Sequence, residues 1–137
     1  MAQLQCEVDS IRVAAACSEL ALILKPKEVD SYLPIWISPS QAEILADQLH
    51  RRPDSKKELD TFLASNNATD SDISCATIYL EGNTFFARVL LSRPPKPYEV
   101  RCPIGLALAL AVRANAPILV DEALFEKVGV RLSATPM

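Results

Sequence analysis

The sequence predicts an α+β fold: a single domain with a mixed β-sheet packed around a central buried apolar helix. Three observations predict it. Ile104 to Val112 carries no charged or polar side chain, and its alternating Leu and Ala favour helix, because Ala is the best helix former and a poor strand residue. A helix apolar on every side has to be covered on every side, yet this one is far shorter than the ~20 residues that span a bilayer. Strand-like and helical stretches are intermixed elsewhere without a regular βαβ rhythm, which argues for a mixed sheet. Finally, 137 residues, half of them hydrophobic, suit one domain with a sizeable core. The domain is expected over residues 1–130, with 131–137 as a C-terminal tail.

Leu4 to Val13 alternates apolar and polar residues and reads as a first strand with a bend at Asp9-Ser10. Glu19 to Lys25 reads as a buried strand stopped by Pro26, and Lys27 to Ser31 as a polar turn. Leu33 to Ile37, LPIWI, is a third strand whose Pro34 suits an edge or a bulge. A helix then starts at Ser38-Pro39: Ser38 can cap it, Pro39 fits its first position, and Gln41 would complete a capping box. Ala42, Leu45, Ala46 and Leu49 form its apolar face. Ser55 and Glu58 make a second capping box for a helix faced by Leu59, Phe62 and Leu63. Ala64 to Asp72 reads as a polar loop.

Ser74 to Leu80 and Thr84 to Leu91 read as strands joined by the hairpin signal Glu81-Gly82-Asn83. Arg93 to Tyr98, with its three prolines, reads as a stiff extended connection. Pro103 is expected in the first turn of the central helix, spanning 103–114, with Leu106, Leu108 and Leu110 buried. Ile118 to Val120 is a short strand, and Asp121 caps a last helix with Leu124, Phe125 and Val128 inside and Gly129 ending it.

Composition narrows the function. The net charge of −3 provides no global positive field for nucleic acid. MAQLQCEVDSIRV does not read as a signal peptide, so the expected location is cytoplasmic, with no membrane partner. Cys6, Cys17, Cys75 and Cys102 are scattered in apolar settings and form no metal or redox motif. They are expected to be buried free thiols. No phosphate-binding glycine motif is present, with only three glycines in the chain.

Few residues could carry chemistry. His50, the single histidine, reads as a solvated helix-end residue beside Arg51 and Arg52. Asp70 and Asp72 fall in a polar loop and Asp121 and Glu122 at a helix start, so solvation and capping account for them. The cluster Arg51, Arg52, Lys56 and Lys57 could touch phosphates but reads first as a solvated face. Trp36 alternates with Ile35 and Ile37, which points to core or interface packing.

Several segments together resemble the bifunctional nuclease domain family. LILKPKEVDSYLPIWISPSQAEILADQL is similar to the family's opening, and RPDSKKELDTFL to its Arg-Pro-x-Thr-His-Asp-Leu pattern. TIYLEGNTFFARVLL resembles its hairpin, and RCPIGLALALAVRANAPILV its Asp-Ala-Arg-Pro-Ser-Asp stretch with the following helix and Ala-Pro-Ile strand. The resemblance runs from about Val8 to Val130. It implies an α+β fold, hydrolysis of DNA or RNA, and oligomers.

The polar motif positions depart from that pattern. The family's Gly after LPIWI is Ser38 and its Glu is Gln41; its Thr-His-Asp becomes Ser55, Lys56 and Lys57. Its Asp-Ala-Arg-Pro-Ser-Asp becomes Arg101, Cys102, Pro103, Ile104, Gly105 and Leu106. Leu106 binds no metal, and the lysines hold phosphate but not a divalent ion. The expectation is a family member whose polar site has been erased, acting as an assembly or binding module and forming a homo-oligomer without a cofactor. Two alternatives stand beside it. One is a nuclease, with a divalent metal held by other carboxylates; the other is a non-hydrolytic nucleic-acid-binding module using Arg52, Lys56, Lys57 and Arg101.

Overall fold

The computed structural model describes residues 3–13, 20–27, 31–50, 56–82, 84–92 and 97–128, apart from the side chains of Lys56, Glu126 and Val128. The strands are β1 (Gln3–Val13), β2 (Leu20–Pro26), β3 (Leu33–Ile37), β4 (Ile73–Glu81), β5 (Thr84–Leu91), β6 (Tyr98–Cys102) and β7 (Ile118–Asp121). The helices are α1 (Pro39–Leu49), α2 (Lys56–Ser65), α3 (Ile104–Ala114) and α4 (Glu122–Val128).

The strands form one mixed sheet in the order β3-β2-β1-β7-β4-β5-β6. All neighbours are antiparallel except β4 and β7, which run parallel. The α+β expectation with a mixed sheet therefore holds. The bend expected at Asp9-Ser10 is a register shift between Val8 and Ser10, where an extra residue twists the strand. Glu81 pairs with Thr84 across the β4–β5 hairpin, and Gly82 takes φ +63°, a conformation open to glycine at little cost.

α3 is the centre of the core. It packs against α1 and α2 as well as β4 and β5, and Ala107, Leu108, Ala109, Leu110 and Ala111 are fully enclosed. Alanines at these positions let neighbouring elements approach closely. Asn115 ends the helix in the left-handed conformation, φ +57°, with its N–H returning to Val112 O. Arg113 then ties the helix to its surroundings, pairing with Asp60 of α2 at 3.1 Å and Asp70 at 2.8 Å.

Several sequence expectations are corrected. Tyr98, expected to end the extended connection from Arg93, instead opens a strand, for β6 pairs with β5 along its whole length, while residues 93–96 of that connection lie outside the described residues. Pro103 is the N-cap of α3 and Ile104 its first residue, because Pro103 keeps an extended ψ of 146°. Leu106 is only partly buried. It shares a stripe of α3 with Leu110 and Arg113, and Arg113 is likewise only partly buried. Trp36 is 55% exposed, so it is not a core residue: Ile35 and Ile37 occupy the core face of β3, and alternation turns Trp36 outward. Leu49, expected on α1's apolar face, is exposed at the helix end. Cys75, next to the β4 register shift, is half-buried, while Cys6 and Cys102 are buried as expected. Ala64 and Ser65 complete α2, and Asp70 to Asp72 form a short 3-10 turn. Arg51, Arg52, Ser55, Cys17, Asn83 and Gly129, along with the 131–137 tail, lie outside the described residues.

Candidate functional site

The polar motif positions separate into two places. Gln41 is the third residue of α1, and Gly105 is the second residue of α3. The structure brings them together: the Gly105 N–H donates to Gln41 Oε1 at 2.7 Å. That N–H is one of the four at a helix start with no partner inside the helix. Gln41 therefore caps a neighbouring helix. This overturns its expected capping-box role, of which only the Ser38 half forms, with the Gln41 N–H donating to Ser38 Oγ at 3.4 Å.

The fit around Gly105 is close. A Cβ added there would lie 2.6 Å from both Gln41 Cβ and the Gln41 carbonyl oxygen. Only a residue without a side chain lets α1 and α3 meet at this separation. Beside it, Leu106 adds only carbon. The junction offers one neutral amide and backbone, a donor set that does not fit a divalent cation, which seeks several anionic or carbonyl oxygens. Among the described residues, no group of three or more His, Cys, Asp and Glu side chains is placed to share a metal ion.

Arg101 lies elsewhere. Cys102 is buried on the core side of β6, so alternation puts Arg101 on the opposite face of the sheet. Its guanidinium sits 4.3 Å from the centroid of Phe86, whose ring stacks on Tyr79 at 5.2 Å. Arg88, directly opposite Arg101 in the register, lies over the same two rings at 5.6 and 5.0 Å. Glu99 accepts from Arg88 Nη1 at 3.5 Å and from Tyr79 Oη at 3.3 Å. Burial first, and the Glu99 carboxylate second, raise the Tyr79 pKa from 10.0. Sequence reasoning missed this aromatic and charged group. The alternation of Phe86 and Arg88 was visible, but Arg101 joins it only once Tyr98–Cys102 is recognised as a strand.

The remaining candidates have structural settings. Lys57 is exposed in the first turn of α2. Arg52 and Ser55 lie outside the described residues, as does the Lys56 side chain. His50 is the exposed C-cap of α1, as expected, and borders a mostly apolar cleft of about 510 Å³. Asp72 accepts the Thr69 N–H at 2.8 Å, and Asp121 accepts the Ala123 N–H at 3.0 Å, while Asp70 holds Arg113. Capping and pairing thus account for three of the four acidic residues considered above; Glu122 is exposed in the first turn of α4. No helix among the described residues is long and apolar enough to cross a membrane.

These features define an α+β domain with a mixed sheet wrapped on a buried alanine-rich helix, whose N-terminus is capped by a neighbouring helix. The bifunctional nuclease domain matches residues 22–133, most of the chain. The chain belongs to the bifunctional nuclease domain family. It is also similar to two proteins of Mycobacterium tuberculosis, Uncharacterized protein MT1877 of strain CDC 1551 / Oshkosh and Uncharacterized protein Rv1829 of strain ATCC 25618 / H37Rv. Each is 28% identical over 127 residues, spanning 90% of this chain and 74% of the relative.

Proposed function

We propose that this chain keeps the family scaffold without phosphodiester hydrolysis and acts as an assembly or binding module that forms a homo-oligomer. The α1–α3 junction carries the reading. Phosphodiester cleavage normally uses a divalent ion held by carboxylates or a base poised near neutrality. Gln41 instead offers a neutral amide, whose Oε1 accepts the Gly105 N–H at 2.7 Å. Lys57, exposed near a helix N-terminus, brings a cation to its position and no anionic oxygen that could hold a divalent ion. The exposed Trp36, Leu49 and Tyr98 favour association.

The test is degradation of plasmid DNA and single-stranded RNA with magnesium, manganese or calcium. A Lys56→Ala/Lys57→Ala/His50→Ala variant is purified in parallel. The expected result is no cleavage above a mock preparation. Cleavage that follows the wild-type protein through purification and disappears in the variant would overturn the reading and favour the nuclease alternative.

The exposed guanidiniums of Arg88 and Arg101 beside an aromatic stack favour a second reading, non-hydrolytic binding of single-stranded nucleic acid. The same RNA used in a fluorescence anisotropy titration, with an Arg88→Ala/Arg101→Ala variant, decides it. The net charge of −3 works against this reading.

A further inference from the structure

Among the described residues, β3 and β6 are the two end strands of the sheet. An edge strand presents a row of backbone groups without ladder partners, and natural proteins protect such edges with proline, charge or bulges. β3 carries Pro34 inside the strand, which removes a donor from any continuing ladder. β6 has no internal proline; Pro97 and Pro103 flank its five residues, Tyr98 to Cys102.

The charges on β6 do not protect it against its own copy. Glu99 and Arg101 are both exposed and share one face, two residues apart around Val100. An antiparallel pairing of β6 with a second β6, centred on Val100, would set Glu99 of each copy directly opposite Arg101 of the other. Opposite charges directly across a ladder attract. An isologous contact of this kind makes each favourable pair twice.

A second feature points the same way. Arg88 and Arg101 face each other directly in the β5–β6 register, a like-charge arrangement that is unfavourable. Glu99 is engaged by Arg88 within the chain, whereas Arg101 has no ion-pair partner among the described residues and rests only on the Phe86 ring. A carboxylate arriving on the free side of Arg101 would offset the repulsion. On the other face of the sheet, the half-buried Val100 would meet its equivalent, enlarging the apolar contact against the core.

We infer that β6 is a self-association edge, on which a second copy of this chain pairs antiparallel about Val100 with reciprocal Glu99–Arg101 contacts. This rests on the assembly reading proposed above and names the surface that assembly uses.

Charge exchange on the full chain tests it, with molar mass read by light scattering and dissociation constants by sedimentation. Wild type should exceed the monomer mass of 15.0 kDa, and Glu99→Arg or Arg101→Glu should each weaken association at least tenfold. The double variant Glu99→Arg/Arg101→Glu restores complementarity and should recover wild-type affinity to within about threefold. Circular dichroism confirms that each variant is folded; where a reversal does not fold, Glu99→Gln and Arg101→Gln replace it and should weaken association in the same direction. A wild-type monomer at 100 micromolar, used here as a chosen assay concentration of roughly 1.5 mg/ml, overturns both this inference and the assembly reading. An oligomer indifferent to the single changes, or one the double exchange does not restore, overturns the β6 edge alone.

Discussion

Gly105→Ala separates two physical effects that pull in opposite directions. By helix propensity alone, alanine should stabilise a helix by about 1 kcal/mol relative to glycine. The junction predicts the reverse. The new Cβ would lie 2.6 Å from Gln41 Cβ and from the Gln41 carbonyl oxygen, and 2.9 Å from its carbonyl carbon. Two of those three atoms are backbone, so a rotamer change cannot relieve the clash. Reaching ordinary contact at 3.4 Å requires α1 and α3 to part by about 0.8 Å. Overpacking of this kind costs about 1–3 kcal/mol. Stretching the 2.7 Å bond from Gly105 N–H to Gln41 adds about 0.5–1.5 kcal/mol. After the propensity gain, the net loss is about 0.5–3.5 kcal/mol. Urea unfolding followed by circular dichroism, at matched protein concentration, should show the midpoint lowered by roughly 1 M, given m-values of ~1–3 kcal/mol/M. Gln41→Gly should not rescue it, since the clashing backbone atoms stay. A midpoint equal to or above wild type would refute the close-approach account.

Two other outcomes follow from the core. Leu110→Ala removes a fully enclosed side chain of α3 and should cost about 2–5 kcal/mol by cavity formation in the same unfolding assay; a loss below about half a kcal/mol would contradict the central-helix reading. Burial pushes the Cys6 and Cys102 thiols up from 9.0 to about 12. The folded state therefore holds these protons more tightly than the unfolded chain, so their stabilising contribution is complete below pH 9.0 and is lost as the pH rises toward about 12. The thermal midpoint should fall across that window, and less steeply in Cys6→Ala/Cys102→Ala. Mass spectrometry after iodoacetamide treatment of the native protein near neutral pH should find both thiols unmodified.

Much of the fold is legible in local sequence because local rules dominate there. β3, α1, the β4–β5 hairpin and β7 follow from alternation, capping residues and Gly82, each acting within a few residues. Even the irregularity near Asp9-Ser10 announces itself as a break in alternation. β6 was hidden for a physical reason. Its five residues, YEVRC, are too short and too charged for periodicity to speak, and they become a strand because β5 supplies the ladder. Trp36 shows the same limit: alternation separates it from Ile35 and Ile37, but only the tertiary structure shows which face is covered.

The sequence by itself determined that an alanine-rich apolar helix would lie in the core, and which family motifs surround it. It also sets amide, lysine, glycine and leucine at Gln41, Lys56, Lys57, Gly105 and Leu106, where the resemblance implies polar and anionic groups, since that is a matter of residue identity. Only the tertiary structure decided what those positions do instead. Gln41 and Gly105 stand 64 residues apart, beyond the reach of any local pattern, and their bond exists because two helix N-termini converge over the sheet. Arg101 is four residues from Gly105 in the chain, yet the strand's alternation sends it to the opposite face, beside Phe86 and Arg88. Side-chain chemistry belongs to the chain, but which groups meet is set by how the sheet and helices close around α3.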